Sequence, residues 1–580
     1  MIYGGAIVID MDVFLMNHRK KDEGDDFILT SDVHAWFEEN SVERVVILNI
    51  EGAAQGGLEA EIKGVIPSVT VEYEDLPRIG LSDQRTPSEL SELPWIILKK
   101  ICKRVNSNTD SVMFLGRGAA LNDHLLWLAA QCFVETKAYH INSCEPVLDV
   151  KNIREHAPVE ETILPALLTS FLDDIKNKRP DTQNHGWIDA ERFMDLINTT
   201  SLKGVSPALH PMVKSGGIEK SPHEIKSRIT KEFYQRSVTY RLHPTALSDA
   251  ALTYFDQKPN KESSLPNLMI AFGRLPHIQS RDNKDKQVEF DFFKYLSPLQ
   301  PMDGLIVVLQ RHDDTIAESS IMTLEQAIIT FEESNFIGDL RHAYNVLQRR
   351  TIEDGIDTLD HLVIINPKPD LWFQMNVFLH LVLQCEDFES KYGERKWDLD
   401  MTMPVNEIRS AVSFFSYISN TVPSYVLKPR GESNDSAIPR RDLVINLPNR
   451  LAREAFDQLL LNPHGSSKGV PNFLIGLYLW EENRDSTEST DDLLAILDDD
   501  QGSDTEFGMK AAELQNYLKE VETPIRNLSG GTSNPHRSLG RLVEQRLVSL
   551  SNSHYSLTDL GRFVAEQLHK IRLLEVMDFE

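Results

Sequence analysis

The sequence predicts an α/β protein in which two strand–helix segments alternate with two mostly helical segments. Continuous apolar runs alternate with helical spacing between Ala6 and Ile141, a pattern typical of a parallel sheet covered by helices. The same alternation returns between Asn267 and Leu427. Helical spacing alone dominates the segment after each stretch, so we expect the order α/β, helical, α/β, helical.

Composition excludes several classes of protein. Of the 580 residues, 41% are hydrophobic and 26% charged, as in ordinary globular chains. No apolar run reaches the roughly 18 residues of a membrane span, and no signal peptide is evident, so we expect a cytoplasmic protein with no membrane partner. Four dispersed cysteines exclude a disulfide scaffold. The net charge of −28 disfavours general adhesion to nucleic acid.

The first segment, residues 1–150, is predicted to be a Rossmann-like domain with a parallel sheet. Arg44–Ile50 (RVVILNI) is its clearest strand, because a strand buried on both faces is apolar along its length. The remaining predicted strands are Ala6–Leu15, Ser68–Tyr73, Ser111–Leu115 and Ala138–Ile141, and the predicted helices are Asp32–Glu39, Leu90–Val105 and Asn122–Val134.

The second segment, residues 160–257, is predicted to be mostly helical. Gly216-Gly217 ends its third helix, since glycine commonly follows a helix C-terminus. The predicted elements are helices Ile163–Lys176, Ile188–Asn198 and Ser206–Ser215, strand Ser237–Leu242 and a short helix that ends at Phe255.

The third segment, residues 264–430, is predicted to be a second Rossmann-like domain with a parallel sheet. A linker follows near Pro429–Pro439. The predicted strands are Asn267–Phe272, Gly304–Leu309, Leu359–Ile365, Trp397–Met401 and Ser424–Leu427, and the predicted helices are Phe290–Leu296, Leu324–Phe331, Phe336–Gln348, Leu371–Leu383 and Asn406–Ser419.

The fourth segment, residues 440–580, is predicted to be helical and to contain an acidic loop. Glu481–Glu506 holds 11 acidic residues and one basic residue, Arg484. Such a charge excess favours a solvated loop, although Leu493 and its apolar neighbours allow one amphipathic helix.

The two helical segments share an internal repeat. Each segment contains a set of four apolar residues at offsets 0, 3, 4 and 9 from the first of them, and each set is followed by a Tyr-x-Leu strand. Offsets 0, 3 and 4 form one helical face, and offset 9 lies beyond the helix end. We therefore predict a tandem duplication. The two sets are Leu209, Met212, Val213 and Ile218, with Tyr240-x-Leu242, and Leu539, Leu542, Val543 and Val548, with Tyr555-x-Leu557.

The element order of each helical segment is three helices, a strand, a loop and a strand. The runs VSPALHPMVKSGGIEK and LVEQRLVSLSNSHYSLTDLGRFV resemble winged helix-turn-helix domains. The resemblance implies one such domain at residues 160–257 and another at the end of residues 440–580. Winged helices bind DNA in many proteins and other proteins in some.

A basic stretch in the first helical segment stands out from the acidic chain. Lys203–Arg241 holds eight basic and three acidic residues, a net charge of +5, whereas the chain from Met509 onward is neutral. Cations on a recognition helix and wing predict phosphate contacts to double-stranded DNA; the alternative is a solvated basic wing. The predicted DNA-binding residues are Lys203, Lys214, Arg228, Lys231 and Arg236, and more weakly Arg537 and Arg541 in the second copy.

Two further runs have a late strand, a small polar loop, a helix and a short aromatic strand. They are SVMFLGRGAALNDHLLWLAAQCFVETKAYHIN and KWDLDMTMPVNEIRSAVSFFSYISNTVPSYVL. They resemble the CARF (CRISPR-associated Rossmann fold) regulators that carry a winged helix. The resemblance implies that a cyclic oligonucleotide or another nucleotide effector binds between two such domains, in a homodimer or in this tandem. The implied ligand-binding residues are Arg117, Gly118 and Asn122, and Thr402, Asn406 and Arg409.

That crevice has a plainer interpretation. Neither copy has the family's Gly-Gly-Thr/Ser-Lys run, and Gly116-x-Gly118 lacks the third glycine of a dinucleotide-binding loop. The alternative is a contact between domains in which the two arginines pair with acidic residues.

The sequence favours a DNA-binding transcription regulator. We find no catalytic or metal-binding constellation and predict no cofactor, because the sequence lacks GxSxG, HExxH and Walker motifs. Two alternatives stay open. One is a nuclease or nucleotide-cleaving enzyme with a Rossmann-like sensor, and the other is a scaffold whose winged helices bind protein.

Overall fold

The chain, seen in a computed structural model, forms two compact units, Met1–Asn449 and Arg450–Glu580. The structure describes residues 11–17, 29–51, 53, 57–79, 87–105, 109–133, 135–150, 158–177, 186–189, 209–210, 212–223, 237–258, 265–274, 296–299, 302–312, 320–331, 336–353, 355–427, 444–449, 469–487, 508–520, 534–544, 547–551, 553–557, 561–562, 565 and 568–569.

The first sheet is fully parallel, as predicted, and its strand order is Rossmann-like, β3-β2-β1-β4-β5. Helix α2 was not predicted, because two glycines interrupt a short pattern. The strands are β1 Met11–Asn17, β2 Val42–Ile50, β3 Thr70–Leu76, β4 Asp110–Leu115 and β5 Thr136–His140, and the helices are α1 Ser31–Glu39, α2 Gly57–Val65, α3 Pro87–Arg104 and α4 Ala120–Cys132.

Apolar side chains on one face of this sheet form a core with α1 and α2. Val13 and Leu15 of β1 lie in one cluster with Phe37 of α1 and Ile62 of α2, all fully buried. Thr30 caps α1, its Oγ1 accepting the N–H of Val33 at 3.4 Å. Burial of each such side chain stabilises the fold by roughly 1.5–3 kcal/mol. The packed core therefore holds the sheet, and with it the carboxyl ends of its strands, in place.

A small antiparallel sheet in the order β6-β8-β7 follows. Residues 209–210 and 212–214 are helical and precede β7. The helix predicted to begin at Ile188 is wrong there, because Ile188 is a buried β-branched residue that pairs with Tyr240 in the sheet; residues 190–198 lie outside the described residues. The elements are α5 Pro158–Asn177, β6 Ile188–Asp189, β7 Ile218–His223, β8 Ser237–Leu242 and α6 Leu247–Asp256.

The second large sheet is mixed, not parallel throughout as predicted, with the order β11-β12-β10-β9-β13-β14-β15. Its edge strands β11 and β15 run antiparallel to their neighbours, and they were missed because four and three residues are too few to show a pattern. The strands are β9 Asn267–Arg274, β10 Gly304–Arg311, β11 Ser320–Thr323, β12 Thr358–Ile365, β13 Lys396–Asp400, β14 Pro423–Val426 and β15 Val444–Asn446.

The five parallel strands of this second sheet repeat the order of the first sheet. Read in chain order, the third, second, first, fourth and fifth parallel strands lie side by side in both. The strands β4 and β13 are therefore equivalent, and so are the helices that follow them. The helices are α7 Leu324–Thr330, α8 Phe336–Glu353, α9 Leu371–Tyr392 and α10 Arg409–Ile418; the predicted helix Phe290–Leu296 lies almost wholly outside the described residues.

Among its described residues, the second unit has the helices α11, α12 and α13, further helical residues at 561–562, 565 and 568–569, and a small antiparallel sheet in the order β16-β18-β17. Glu481 does not belong to a solvated loop: it lies in α11, is 2% exposed, and accepts the N–H of Leu557 and a bond from Arg562. Residues 488–506 of the predicted loop lie outside the described residues. The elements are α11 Gly469–Thr487, β16 Met509–Lys510, α12 Ala511–Glu520, α13 Pro535–Glu544, β17 Val548–Ser551 and β18 His554–Leu557.

The two small sheets agree with the repeat. Tyr240 pairs with Ile188, and Tyr555 pairs with Met509. The predicted strand at Tyr555 is present, and Val543 packs against the core of the second unit, as the alignment requires. Within the described residues, the strand that comes last in the chain lies at the centre of each sheet, flanked by the first strand on one side and the second strand on the other.

Candidate functional site

The loops after the equivalent strands β4 and β13 meet each other. The Asn406 side chain donates to the carbonyl of Gly116 at 3.0 Å, and Arg409 donates to the carbonyl of Gly118 at 2.8 Å. Each loop lies at the carboxyl end of its strand, where sheets of this order bind ligands. Of the six predicted ligand-binding residues, the structure brings Gly118 of the first loop together with Arg409 of the second, and it places Asn406 against Gly116, the neighbour of Arg117.

A buried ion pair fastens this contact. Arg409 Nη1 lies 2.6 Å from Asp123 Oδ2, while Asp123 Oδ1 accepts the N–H of Gly116 at 3.0 Å. Arg409 Nε also donates to the carbonyl of Pro404 at 3.1 Å. With side chains 10% and 1% exposed, both charges depend on each other for compensation.

The remaining predicted ligand residues are placed differently from one another. Thr402 lies apart from the ion pair: it caps Asp400 through its N–H and hydroxyl, and its Oγ1 accepts the N–H of Val426 at 2.9 Å. Asn122 is buried at the start of α4, and Arg117 is partly buried. The geometry thus favours the plainer interpretation for Arg409, a contact between domains in which the arginine pairs with an acidic residue.

Helices α4 and α10 continue the same contact beyond the loops. His124 Nε2 lies 2.6 Å from the carbonyl of Pro448, and Nδ1 lies 3.0 Å from Ser413 Oγ. A carbonyl only accepts, so Nε2 carries the proton and Nδ1 accepts from the hydroxyl. Trp127 lies edge-on to Phe414 and Tyr417, with centroids 6.5 and 5.8 Å apart.

Burial sets the charge state of the ionisable groups near this contact. Desolvation lowers the pKa of His124 to about 4. It also lowers the pKa of His140, whose ring lies against Gly116, although Glu407 and Asp123 oppose the shift. Burial raises the pKa of Asp400 to about 6 despite its bonds from Thr402. Both histidines are therefore neutral at pH 7.

His124 gives the stability a predictable pH dependence. Its folded pKa is near 4 and its unfolded pKa near 6.5, so its contribution is fully present above pH 6.5 and is lost as the pH falls toward 4. The total is about 3 kcal/mol; Asp400 acts in the opposite direction. We expect His124→Gln to lower the slope of unfolding free energy against pH by up to about 1.4 kcal/mol per unit near pH 5. Equilibrium urea unfolding between pH 4.5 and 7 measures it, and an unchanged slope would contradict the assignment.

Sequence reasoning missed Asp123, His124 and His140. Asp123 carried a usable signal, since an acidic residue in the first turn of a helix commonly interacts with free backbone N–H groups there. The two histidines carried none, because nothing in their local sequence marks them. The partners of His124, Ser413 and Pro448, lie far away in the chain, and only folding brings them together.

The predicted DNA-binding residues fall into two groups. Lys203, Arg228, Lys231 and Arg236 lie outside the described residues. The described ones are Lys214, exposed at the end of the helical stretch before β7, Arg537, exposed on α13, and Arg541, partly exposed one turn later.

The three described cations differ from Arg241 in their contacts. Within the described ranges, Lys214, Arg537 and Arg541 form no ion pair. Arg241, by contrast, binds Glu219 and lies 4.6 and 4.0 Å from the ring centroids of Trp187 and Trp372. Arg241 therefore holds the small sheet against α9 and is committed to the fold.

The described residues contain no group of three His, Cys, Asp or Glu side chains placed to hold a metal. In the same part of the chain, every helix is either too short or too polar to cross a membrane. A comparison with protein-family models and one with curated proteins both gave no match to this chain.

Proposed function

We propose that this chain is a double-stranded DNA-binding regulator that contacts DNA through two winged helix-turn-helix modules. The first module is residues 160–257, and the second is the end of residues 440–580. The observation that carries the proposal is the same arrangement in both modules. A helix with a buried apolar face precedes a strand pair, and its exposed face carries cations that form no ion pair with the described residues. In the second module α13 buries Leu539 and Leu542 and exposes Arg537.

The first module supports the proposal in the same way. Leu209 and Met212 are buried, while His210 and Lys214 are exposed one helical turn apart. A recognition helix needs this division, because one face must pack on the module and the other must reach the groove. Lys220 on β7 adds a further exposed cation beside the wing.

The two α/β domains would give the first module a fixed support. The buried contact between α4 and α10 joins the two sheets inside one unit, much as a two-fold interface joins subunits. The first module is docked on the second α/β domain through Arg241 and through Lys258, which pairs with Glu386 on α9. Such a support would hold the recognition helix of the first module in a constant orientation.

The test is titration of the full chain into a fluorescent DNA duplex of arbitrary sequence, with unlabelled bulk duplex as competitor. We expect binding at low salt that competitor DNA abolishes, because phosphate contacts dominate non-specific affinity. Magnesium-dependent loss of the duplex would favour the nuclease alternative. Absence of binding at about 50 mM salt would favour protein as the partner of the modules.

A further inference from the structure

The carboxylate of Asp123 occupies the position at the loop after β4 where hydrogen-bond donors could hold an anion. Asp123 accepts the N–H of Gly116 at 3.0 Å and pairs with Arg409 at 2.6 Å. A backbone N–H before a helix and a guanidinium fork are the donors that bind phosphate groups in proteins. Here both donors point at Asp123, whose side chain is 1% exposed.

The loop after β13 in the second sheet is also held by a side chain of the chain itself. Gln310, 1% exposed at the end of β10, accepts the N–H of Val405 at 2.7 Å. Its amide nitrogen lies 3.4 Å from the carbonyl of Gly273 on β9. Gln310 therefore spans the boundary between β9 and β13, where the strand order reverses and such sheets bind ligands.

We propose that Asp123 is a built-in substitute for an anionic effector, so that the two α/β domains are held closed without a nucleotide. An intramolecular carboxylate competes at a very high effective concentration, which a free ligand cannot match. If the proposed function is correct, DNA binding then needs no effector. Only this statement about DNA binding rests on the proposed function.

The Asp123→Ala variant tests the substitution directly. It leaves the Gly116 N–H and Arg409 without their anion, so we expect a lower thermal midpoint than in the wild type. About 20 mM inorganic phosphate should then raise the midpoint of the variant by about 2 °C or more relative to chloride at equal ionic strength. The wild type should show no such rise, because its own carboxylate occupies the donors.

Three further variants complete the test. Asp123→Asn keeps the shape without the charge and should respond to phosphate less than Asp123→Ala but more than the wild type; it also serves as the readout if Asp123→Ala does not fold. Adding Arg409→Ala should abolish the response. Asp32→Ala, which removes an exposed acid on α1, should behave like the wild type.

Two results would overturn the inference. One is a phosphate response no larger in the Asp123 variants than in the wild type. The other is heat on titration of the wild type with a cyclic tetranucleotide, since a filled site should not bind it. A wild type that fails to bind DNA while the Asp123 variants respond to phosphate would overturn the proposed function and leave this inference standing.

Discussion

Replacement of Arg409 by alanine is expected to lower the free energy of unfolding of the first unit by about 3–5 kcal/mol. The change leaves Asp123, with a side chain 1% exposed, as a buried carboxylate without its counter-ion. It also removes the donors to the carbonyls of Gly118 and Pro404. Equilibrium urea unfolding of the full chain measures the loss.

Two further variants serve as comparisons for Arg409→Ala. Arg409→Lys keeps the charge but not the planar fork, so its loss should be intermediate. Lys63→Ala removes a surface pair with Glu59 whose side chains are 47% and 32% exposed, and should leave the free energy of unfolding almost unchanged, because solvent screens such pairs. If Arg409→Ala proved as mild as Lys63→Ala, the ion pair would not hold the domains together.

Replacement of Trp127 by alanine is expected to cost a similar 3–5 kcal/mol. The side chain is fully buried in the α4–α10 contact, and its indole N–H donates to the carbonyl of Leu148 at 2.7 Å. The loss combines apolar burial, a cavity and an orphaned carbonyl. Urea unfolding again gives the value.

The conservative variant separates these causes. Trp127→Phe keeps most of the ring and loses the N–H, so we expect a cost of about 1–3 kcal/mol. Ile329→Ala, at a position 74% exposed, should be nearly neutral. A small effect of Trp127→Ala would mean that this contact does not stabilise the first unit.

The sequence predicted the large elements well for a physical reason. Strands buried on both faces, such as β2 and β10, are long apolar runs, and these are visible without any knowledge of partners. The edge strands β11 and β15 are short and depend on pairing with β12 and β14. Ile188 likewise becomes a strand residue through a partner 52 positions away, Tyr240.

The candidate site was predictable only in part. The two loops were found because each follows a late strand, and topology alone places them at carboxyl ends. That Arg409 would reach Asp123, 286 residues earlier, could not be read from spacing. The residue types suited a phosphate and a carboxylate partner equally, and only the geometry favours the second.

The salt dependence of DNA binding tests the central claim most directly. Each phosphate contact contributes about −0.9 to the slope of log affinity against log salt. We expect Arg228→Ala with Arg236→Ala to flatten the slope of the wild type by about 2 units, and Arg537→Ala with Arg541→Ala to flatten it less. The neutral charge of the chain from Met509 onward is the reason for the weaker second effect. Unchanged affinity and slope in both double variants would contradict DNA binding by these modules.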